Sequence, residues 1–590
     1  MLIANAAANI APLPTPAAAP HAVAPVEPVD SVCLQKPVMV ALGDSLTAGT
    51  QDGVQSADRQ MACYFALIAG AAGIGVNLPL INGSVPPGFW TGTVFDVRHV
   101  VALRQDMVKK VGPIAAMLEY VGTPDDLSPV WKIDGMGKRD PATRDTAERP
   151  QHNFAVAGYE LRHLNDVRSM WDYVRELRES LDEKGGLVME LPGTREILQN
   201  GEDAGRGSQV DQAIRLQPDL VLFWGGANDA LVPAFDGVID DRTLTPIVDQ
   251  VWDFWHKDLL TNKWSRRQSD HPMKGFYSAL SGQQGAITRL LRETKAEIML
   301  MNLPNIAAVP FLRELGRPMG PLPFRVILQD GTDVTEQLER YVIPDAVNGE
   351  GKEGRTQFPP GTKVGLTNLL GKLAASNIQN VAQMHEEMRR LEAEGAFDEW
   401  EVLDSDEIER VDDRIDEFNQ VIARAARNPR VHLVDMHAVM NDMRDNGRDL
   451  RGAGPPVRVT TRMTGAAGSD GVDGIFSYDG VHPSNTGHAV VANIVLDKIK
   501  QDLGSRDKFR VFKDAPPIDE KVVYNSDPHR GERPALILIP DVAPLLAPDP
   551  QGMFTSIRKP PDVQAAPLAF DPVSALDGGG LFAQGGAQCP

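Results

Sequence analysis

The chain has 590 residues, of which 42% are hydrophobic and 24% are charged. These are globular proportions, so they exclude global disorder, and the length predicts a core with insertions or tails rather than one ordinary compact domain. The 59 Lys and Arg residues against 80 Asp and Glu residues give a net charge of −21, which excludes a strong attraction to nucleic acid.

Cysteine usage and hydropathy add two further expectations. No stretch approaches 18 consecutive apolar residues, so we expect a soluble protein without a transmembrane segment. Cys33, Cys63 and Cys589 form no C-x-x-C pair and no disulfide framework, which leaves the redox compartment open. The oligomeric state is open as well.

Residues 1–33 form an Ala- and Pro-rich leader. Its prolines remove backbone donors and favour extended, solvated chain, so we predict that this segment is disordered. Residues 1–29 contain no Lys or Arg, and the basic region of an export signal is therefore missing. The localisation stays open, and it includes export to the periplasm or the medium if the leader is a trimmed signal.

The first predicted strand, residues 38–42, leads directly into Gly43-Asp44-Ser45-Leu46-Thr47. Ser45 therefore lies at the carboxyl end of a buried strand, which is where ligands of open α/β sheets bind. If a helix begins there, its free N–H groups stabilise negative charge beside Ser45. For this short motif alone, a turn with a serine N-cap is the alternative.

Two further predicted strands end in candidate hydrogen-bond donors. Residues 154–157 precede Gly158, whose backbone N–H has no side chain in the way. Residues 220–224 precede Gly225 and Gly226, which allow a tight turn, and then Asn228, which offers a side-chain amide. Each turn alone is typical of an ordinary loop, but their location after successive strands indicates a shared edge.

The last two predicted strands, residues 298–303 and 431–434, each follow a helical pattern. The longer pattern has six apolar residues at alternating steps of three and four, which share one face of a helix. These residues are Ile408, Val411, Ile415, Phe418, Ile422 and Ala425. The strand, helix, strand order with right-handed crossovers predicts a three-layer α/β/α sandwich around a mostly parallel sheet.

Three connections, near 50–150, 231–280 and 312–407, are far longer than usual loops, so we predict structured insertions there. The second insertion has helical spacing and aromatic residues, for which core packing is expected. Its residues are Trp252, Phe254, Trp255, His256 and Leu259. The third has a helix-like segment at 366–391, whose apolar residues are Leu369, Leu370, Leu373 and Met384. Lids often form in such long connections, so we expect the insertions to cover one face and select the ligand.

Near the end of the core, residues 476–483 carry Asp479 and His482. The spacing of three lets a turn bring the carboxylate to one ring nitrogen and leave the other facing a nucleophile. A surface Asp–His pair is the alternative for this motif alone. His432 and His437 have no further Cys or His at metal spacing, so they are expected in the core or in loops.

Ser45, Asp479 and His482 supply a nucleophile, an orienting carboxylate and a base. A serine hydroxyl needs such a base because it is barely ionised near neutral pH. The oxyanion of a tetrahedral intermediate also needs donors, and removing one donor typically costs about 10²- to 10³-fold in rate. Asn228 and the backbone of Gly158 are the candidates.

These four blocks resemble those of the GDSL, or SGNH, hydrolases, which carry Ser, Gly, Asn and His in this order. The resemblance implies that Ser45 is the nucleophile, that Asp479 orients the base His482, and that Ser45, Gly158 and Asn228 form the oxyanion hole. It also implies a flavodoxin-like, five-stranded sheet and carboxylic ester hydrolysis through an acyl-enzyme, without metal or organic cofactor. A small-molecule, lipid or glycan ester is the expected substrate.

The resemblance covers a predicted hydrolase domain at residues 34–504, apart from its insertions. Residues 505–590 form a Pro-rich extension, expected to wrap or hang loose, in which residues 536–539 can add a short strand. Two rival serine motifs are weak: Ser469 lacks the first glycine of a nucleophile elbow, and Ser556 with Lys559 lies in the extension. Deacetylation of acylated carbohydrates and non-catalytic binding or scaffolding are the alternative functions.

Overall fold

The computed structural model describes most of the predicted core. The described ranges are 36–79, 81–84, 138–139, 151–168, 207–235, 244–251, 253–258, 263–268, 273–347, 357–398, 401–467 and 470–537, with single-residue breaks, and the single residues 172 and 239. The predicted leader, most of the first insertion and the extension beyond residue 537 lie outside the described residues.

Strands and helices alternate along the described chain. The strands are β1 (Met39–Gly43), β2 (Val54–Gln55), β3 (Ile81–Ser84), β4 (Lys138–Arg139), β5 (Leu220–Trp224), β6 (Asp253–Asp258), β7 (Lys263–Gln268), β8 (Glu297–Met301), β9 (Leu312–Glu314), β10 (Arg325–Ile327), β11 (Lys363–Gly365), β12 (Val402–Leu403), β13 (Val431–Val434), β14 (Arg448–Asp449), β15 (Arg458–Met463), β16 (Asp473–Phe476) and β17 (Ala535–Ile537). The helices are α1 (Ser45–Ala48), α2 (Ala57–Met61), α3 (Tyr64–Ala71), α4 (His163–Asp166), α5 (Gln209–Leu216), α6 (Asn228–Phe235), α7 (Phe276–Leu280), α8 (Ala286–Glu293), α9 (Thr335–Arg340), α10 (Leu366–Ala375), α11 (Val381–Glu394), α12 (Ser405–Ala425), α13 (Met436–Asn446), α14 (Asn485–Leu503), α15 (Arg510–Asp514) and α16 (Glu520–Ser526).

The central sheet contains β1, β5, β8 and β13 in that order, and all three pairings are parallel. Every residue of β1, β5 and β8 is buried, because helices cover both faces of a parallel sheet. Four of the five predicted strands are thus confirmed, with bounds within two residues of the prediction. Their carboxyl ends lie along one edge of the sheet.

The predicted strand at residues 154–157 is wrong as a full strand. Asn153 makes a single parallel bridge with Ala41, on the side of β1 that faces away from β5. Three backbone hydrogen bonds of 2.8 to 3.2 Å join residues 152–156 to Ala41 and Gly43. The chain then turns at Gly158, where φ is +76°, so the contact is too short for a strand.

Helices contact the sheet in two groups. In one, α5 contacts β1 and α12 contacts β13, while α7 and α8 join these helices. In the other, α14 contacts both β13 and α3. The predicted stripe of α12 is confirmed, since Val411, Ile415 and Phe418 are buried and the Phe418 ring stacks on Phe276 at 4.0 Å.

The second insertion differs from its prediction. Residues 253–258 and 263–268 pair as an antiparallel hairpin, so Phe254, Trp255 and His256 lie on a strand rather than on a helix. Aromatic residues also favour strands, and cross-strand pairing supplied the backbone hydrogen bonds that a helix would have made locally. Trp252 and Leu259 lie outside the described residues.

The third insertion combines β9, β11 and β12 in an antiparallel sheet with α10 and α11. The predicted helical segment at 366–391 is confirmed as two helices. They are separated at Asn377, which has φ of +52°, and α11 begins where the Asn380 side chain accepts from the Gln383 N–H. Leu369, Leu370, Leu373 and Met384 are buried.

Part of the predicted extension is folded. Helices α15 and α16 contact α14, and β17 pairs in parallel with β10, which agrees with the predicted short strand near residues 536–539. None of the helices formed by the described residues has the length and hydropathy needed to span a membrane.

Candidate active site

A tight turn places Ser45 at the carboxyl end of β1. Ser45 is the first residue of α1, and the Asp44 side chain caps this short helix by accepting from the Leu46 N–H at 3.1 Å. A Cβ atom at Gly43 would lie 1.9 Å from the Trp224 carbonyl oxygen. Only glycine therefore allows β1 to run into this turn beside β5.

The Gln209 side chain holds the turn between β1 and α1 in place through the backbone of Gly43. Its buried side-chain amide accepts from the Gly43 N–H and donates to the Gly43 carbonyl, both at 3.0 Å. Gln209 is the first residue of α5, where Ser208 and Asp211 form a capping box. The sequence analysis did not identify Gln209. The capping box marks a helix start, but no local signal shows which backbone the first residue contacts.

The two candidate oxyanion donors lie on chain segments that are joined by hydrogen bonds, Gly158 in a turn and Asn228 at the start of α6. The Asn228 side chain donates to the Tyr159 carbonyl at 3.0 Å, and the Asp229 carboxylate accepts from the Leu161 N–H at 2.7 Å. Gly158 directly precedes this segment. Because an amide nitrogen carries two hydrogens, Asn228 can donate its second one to a ligand.

Asp479 and His482 form a buried pair within one turn. The His482 Nδ1 atom lies 2.6 Å from Asp479 Oδ2. Asp479 Oδ1 accepts from the backbone N–H groups of Val481 and His482 at 2.8 and 2.9 Å and from the Ser477 hydroxyl at 3.0 Å. These bonds fix both the carboxylate and the ring, and they direct Nε2 away from Asp479.

The charges of this pair favour an ionised carboxylate beside a basic imidazole. Burial disfavours the charged form of Asp479, but His482 and the backbone donors outweigh it and lower the pKa of Asp479 to about 2. Burial also disfavours imidazolium, yet the negative charges of Asp479, Asp44 and Asp52 hold the pKa of His482 above its usual 6.5. His482 is therefore a stronger base than a free histidine.

Asp44 is a second buried carboxyl group near His482. Burial raises its pKa to about 6, against the opposing effects of the Leu46 N–H, of His482 and of the backbone at Ala227 and Gly226. Asp44 was not singled out as a functional residue, because the sequence does not show that the residue before Ser45 is fully buried.

Hydrogen bonds join the loop after Ser45 to the turn that carries Asp479 and His482. The Asp52 N–H donates to the Ser477 hydroxyl at 3.0 Å, and the Tyr478 N–H donates to Asp52 Oδ1 at 2.7 Å. The Gln51 side chain also donates to Asn485 at 2.8 Å. Segments more than 400 positions apart in the chain therefore meet at one edge of the sheet, where Ser45 and His482 retain 7% and 8% exposure.

The third insertion contacts the same turn. The Phe311 N–H donates to the Gly480 carbonyl at 3.1 Å, and the Phe311 carbonyl accepts from the Leu366 N–H, also at 3.1 Å. A Cβ atom at Gly480 would lie 2.8 Å from the Phe311 nitrogen, and Gly480 has φ of +66°. This close approach explains why the turn has glycine between Asp479 and His482.

The other histidines lie elsewhere. His432 bridges Glu297 and Asp502 at 2.9 and 3.0 Å, near the amino ends of β8 and β13, which is the opposite edge of the sheet. His437 contacts the Leu303 carbonyl. Within the described residues, no group of His, Cys, Asp and Glu has the arrangement of a metal site. The rival serines Ser469 and Ser556 lie outside them.

Residues 353–495 match the family model described as GDSL-like Lipase/Acylhydrolase, which confirms the family resemblance predicted from the motifs. The matched residues include Asp479 and His482, whereas Ser45, Gly158 and Asn228 precede them. No curated protein and no solved structure matches the chain. The family match points to an ester hydrolase with an α/β fold.

Proposed function

We propose that the protein is a serine hydrolase that cleaves carboxylic esters through an acyl-enzyme, with Ser45 as nucleophile, His482 as base and Asp479 as its orienting group. The strongest support is the meeting of the Ser45 loop and the Asp479–His482 turn at the carboxyl edge of the sheet, through Asp52. Parallel sheets bind their ligands at this edge.

The mechanism follows from the atoms present. The Ser45 hydroxyl oxygen attacks the ester carbonyl while His482 Nε2 accepts its proton, and Asp479 stabilises the imidazolium through Nδ1. The N–H groups of Ser45, Gly158 and Asn228 stabilise the oxyanion. His482 then protonates the leaving alcohol, and a water molecule, activated by the same ring, releases the acid and restores Ser45.

We further propose the flavodoxin-like, five-stranded sandwich for residues 34–504. The extended segment at residues 152–156 lies beside β1, and β5, β8 and β13 follow on the other side, so five segments line one edge. Helices contact β1 and β13 in two groups, as expected for outer layers. The leader at 1–33 and the extension at 505–590 flank this domain in the proposal.

The third insertion is our candidate for substrate selection. Its contact with the turn that carries His482, through Phe311 and Gly480, brings its first strand to the edge of the site. Since Leu369, Leu370 and Leu373 are buried, α10 itself packs as core, and the selective surface belongs to the loops of the insertion.

A fluorophosphonate probe tests the proposed function, because it reacts with an activated serine and not with ordinary hydroxyls. The folded protein should become labelled at Ser45, as located by peptide mass spectrometry. A panel of esters that varies the acyl length and the alcohol, with acetylated glycans among them, then identifies the substrate class. Failure to label Ser45 in folded protein would favour a non-catalytic binding role.

Replacing Asn228 with alanine should lower kcat by about 10²- to 10³-fold with little change in KM, because an oxyanion donor acts mainly in the transition state. Steady-state kinetics on a soluble ester measure both constants. Asn368→Ala is the matched control, since its buried side chain also donates one bond of 3.0 Å to a backbone carbonyl, that of Glu401. A change in KM alone for Asn228→Ala would indicate a substrate contact instead.

The dependence of kcat/KM on pH should show an acid limb above pH 6.5. His482 must be neutral to accept the proton, and the nearby carboxylates raise its pKa, so activity is lost as the pH falls through that raised value. Asp479→Asn should move the limb to lower pH, because it removes the charge that favours imidazolium. A limb unmoved by Asp479→Asn would assign the titration to another group.

A further inference from the structure

A second buried histidine lies close to the candidate site, between two carboxylates. Both oxygens of Asp52 lie 3.0 Å from His529 Nε2, and Asp527 Oδ1 lies 2.8 Å from His529 Nδ1. All three side chains are almost fully buried. His529 belongs to the short helical turn at residues 528–530, which follows α16 in the predicted Pro-rich extension.

Each carboxylate of this cluster also contacts the backbone around His482. Asp52 Oδ1 accepts from the Tyr478 N–H, directly before Asp479 in the chain. Asp527 Oδ2 accepts from the Thr486 N–H at 2.8 Å and from the Thr486 hydroxyl at 2.7 Å, at the start of α14. The cluster therefore fixes the chain both before and after the Asp479–His482 turn.

Tyr478 adds a third contact between the extension and the turn. Its hydroxyl donates to the His529 carbonyl at 3.1 Å, and its ring packs edge-on against the imidazole with 4.6 Å between centroids. His529 is thus enclosed by groups from the Ser45 loop, from the His482 turn and from its own segment. Such an enclosed site favours one conformation of all three.

The imidazole of His529 is positively charged in this setting. Burial favours the neutral ring, but the charges and hydrogen bonds of Asp52 and Asp527 outweigh it and raise the pKa of His529 to about 10. Arg59 is the other cation on Asp52, with 2.7 Å between Nη2 and Oδ2. Across neutral pH the cluster therefore contains a cation between two anions, with Arg59 at its rim.

We infer that His529 is a positioning residue, which holds the Ser45 loop and the Asp479–His482 turn in register by bridging Asp52 and Asp527. The inference rests on the proposed function for its kinetic consequences. It gives the first part of the C-terminal extension a role in activity, although none of its residues carries a motif of the family. His529 does not contact the reacting atoms, and it acts through the two aspartates.

Loss of this cation should also change the basicity of His482. The carboxylates that act on His482 are those of Asp479, Asp44 and Asp52. The buried His488 also interacts with His482, but burial lowers the pKa of His488 to about 3, so it stays neutral across the acid limb. In His529→Gln, Asp52 keeps its contact with Arg59, but the positive charge of His529 is gone, so the net negative field at His482 increases. The acid limb of kcat/KM should therefore move to higher pH, which a purely structural role of His529 would not produce.

His432 offers a matched control. It also lies between two carboxylates, Glu297 and Asp502, at 2.9 and 3.0 Å, but it is half-buried and at the opposite edge of the sheet. His432→Gln removes an equivalent bridge and should lower thermal stability without selectively affecting the site. The comparison separates the loss of a histidine bridge between two carboxylates from the loss of positioning.

The experiment compares wild type, His529→Gln and His432→Gln in the full chain. We expect His529→Gln to lower kcat and the rate of fluorophosphonate labelling by about 10- to 100-fold, since small misplacements of catalytic groups cost up to about 10² in rate. The acid limb of its kcat/KM profile should move to higher pH. His432→Gln should retain the wild-type kcat and the wild-type acid limb. Equal kinetics in the two variants would overturn the inference.

Hydrogen exchange tests the positioning role of His529 independently of activity. Faster exchange at the amides of Asp52, Tyr478 and Thr486 in His529→Gln, but not in His432→Gln, supports positioning, and unchanged protection overturns it. If wild type is not labelled at all, the proposed function fails, but hydrogen exchange still shows whether His529 positions the two segments. If His529→Gln does not fold, Asp527→Asn takes its place, with the same exchange and kinetic outcomes expected.

Discussion

Ser45→Ala is expected to abolish ester hydrolysis, with a loss on the order of 10⁶ in kcat, as found when the nucleophile of a serine triad is removed. Without the hydroxyl no acyl-enzyme forms, and fluorophosphonate labelling should disappear with turnover. The fold should remain, because the cap of α1 comes from Asp44 and the bond from the Thr50 N–H goes to the backbone oxygen of Ser45. Kinetics, labelling and thermal unfolding check these outcomes together.

Ser376→Ala is the matched control for this experiment. The Ser376 hydroxyl donates to the Lys372 carbonyl at 3.1 Å and to Glu387 at 2.6 Å, both within the third insertion. Its loss should leave fluorophosphonate labelling of Ser45 intact, because that labelling does not depend on substrate selection by the insertion. Persistent hydrolysis by folded Ser45→Ala protein would refute the nucleophile assignment. If Ser45→Ala lost both the label and the folded state, Ser45→Cys, which retains a nucleophile, would be tested in its place.

His482→Gln should lower kcat nearly as much as Ser45→Ala, because a serine hydroxyl without a base is not activated. The effects should also be strongly non-additive: the double variant should be no slower than either single variant, since both residues serve one proton transfer. Glutamine retains part of the side-chain volume, while Asp479 keeps its bonds from Val481 and Ser477.

The pH dependence of unfolding adds a second measurement for His482→Gln. In wild type, the raised pKa of His482 stabilises the fold at low pH, and this contribution is lost as the pH rises through that value. The variant should therefore lose more stability near pH 5 than near pH 9. If His482→Gln is as active as His432→Gln, His482 is not the base. If the losses in kcat from Ser45→Ala and His482→Gln multiply in the double variant, Ser45 and His482 do not act as one unit.

Local patterns were sufficient for four strands and for the motifs at their ends. Strands of a covered parallel sheet are short, mostly apolar runs, so Leu220–Trp224 and Val431–Val434 were found with their observed bounds. The same reasoning failed at Asp253–Asp258, where aromatic spacing fitted a helix but the next strand, Lys263–Gln268, supplied the backbone partners. The same reasoning also predicted a full strand at residues 154–157, where the turn at Gly158 ends the contact with β1.

The sequence by itself determined the chemistry that this chain offers: a serine after the first strand, an Asp–His pair near the end of the core and an amide donor at Asn228. Their physical signals are local, because strand ends, turn glycines and a spacing of three residues are visible within a few positions. Only the tertiary structure decided how they are held. Contacts between distant segments do this: Gln209 binds Gly43, Asp52 binds Tyr478, and His529 lies between two aspartates. The shifted pKa values of Asp44 and His529 also depend on their buried surroundings, which no local pattern encodes.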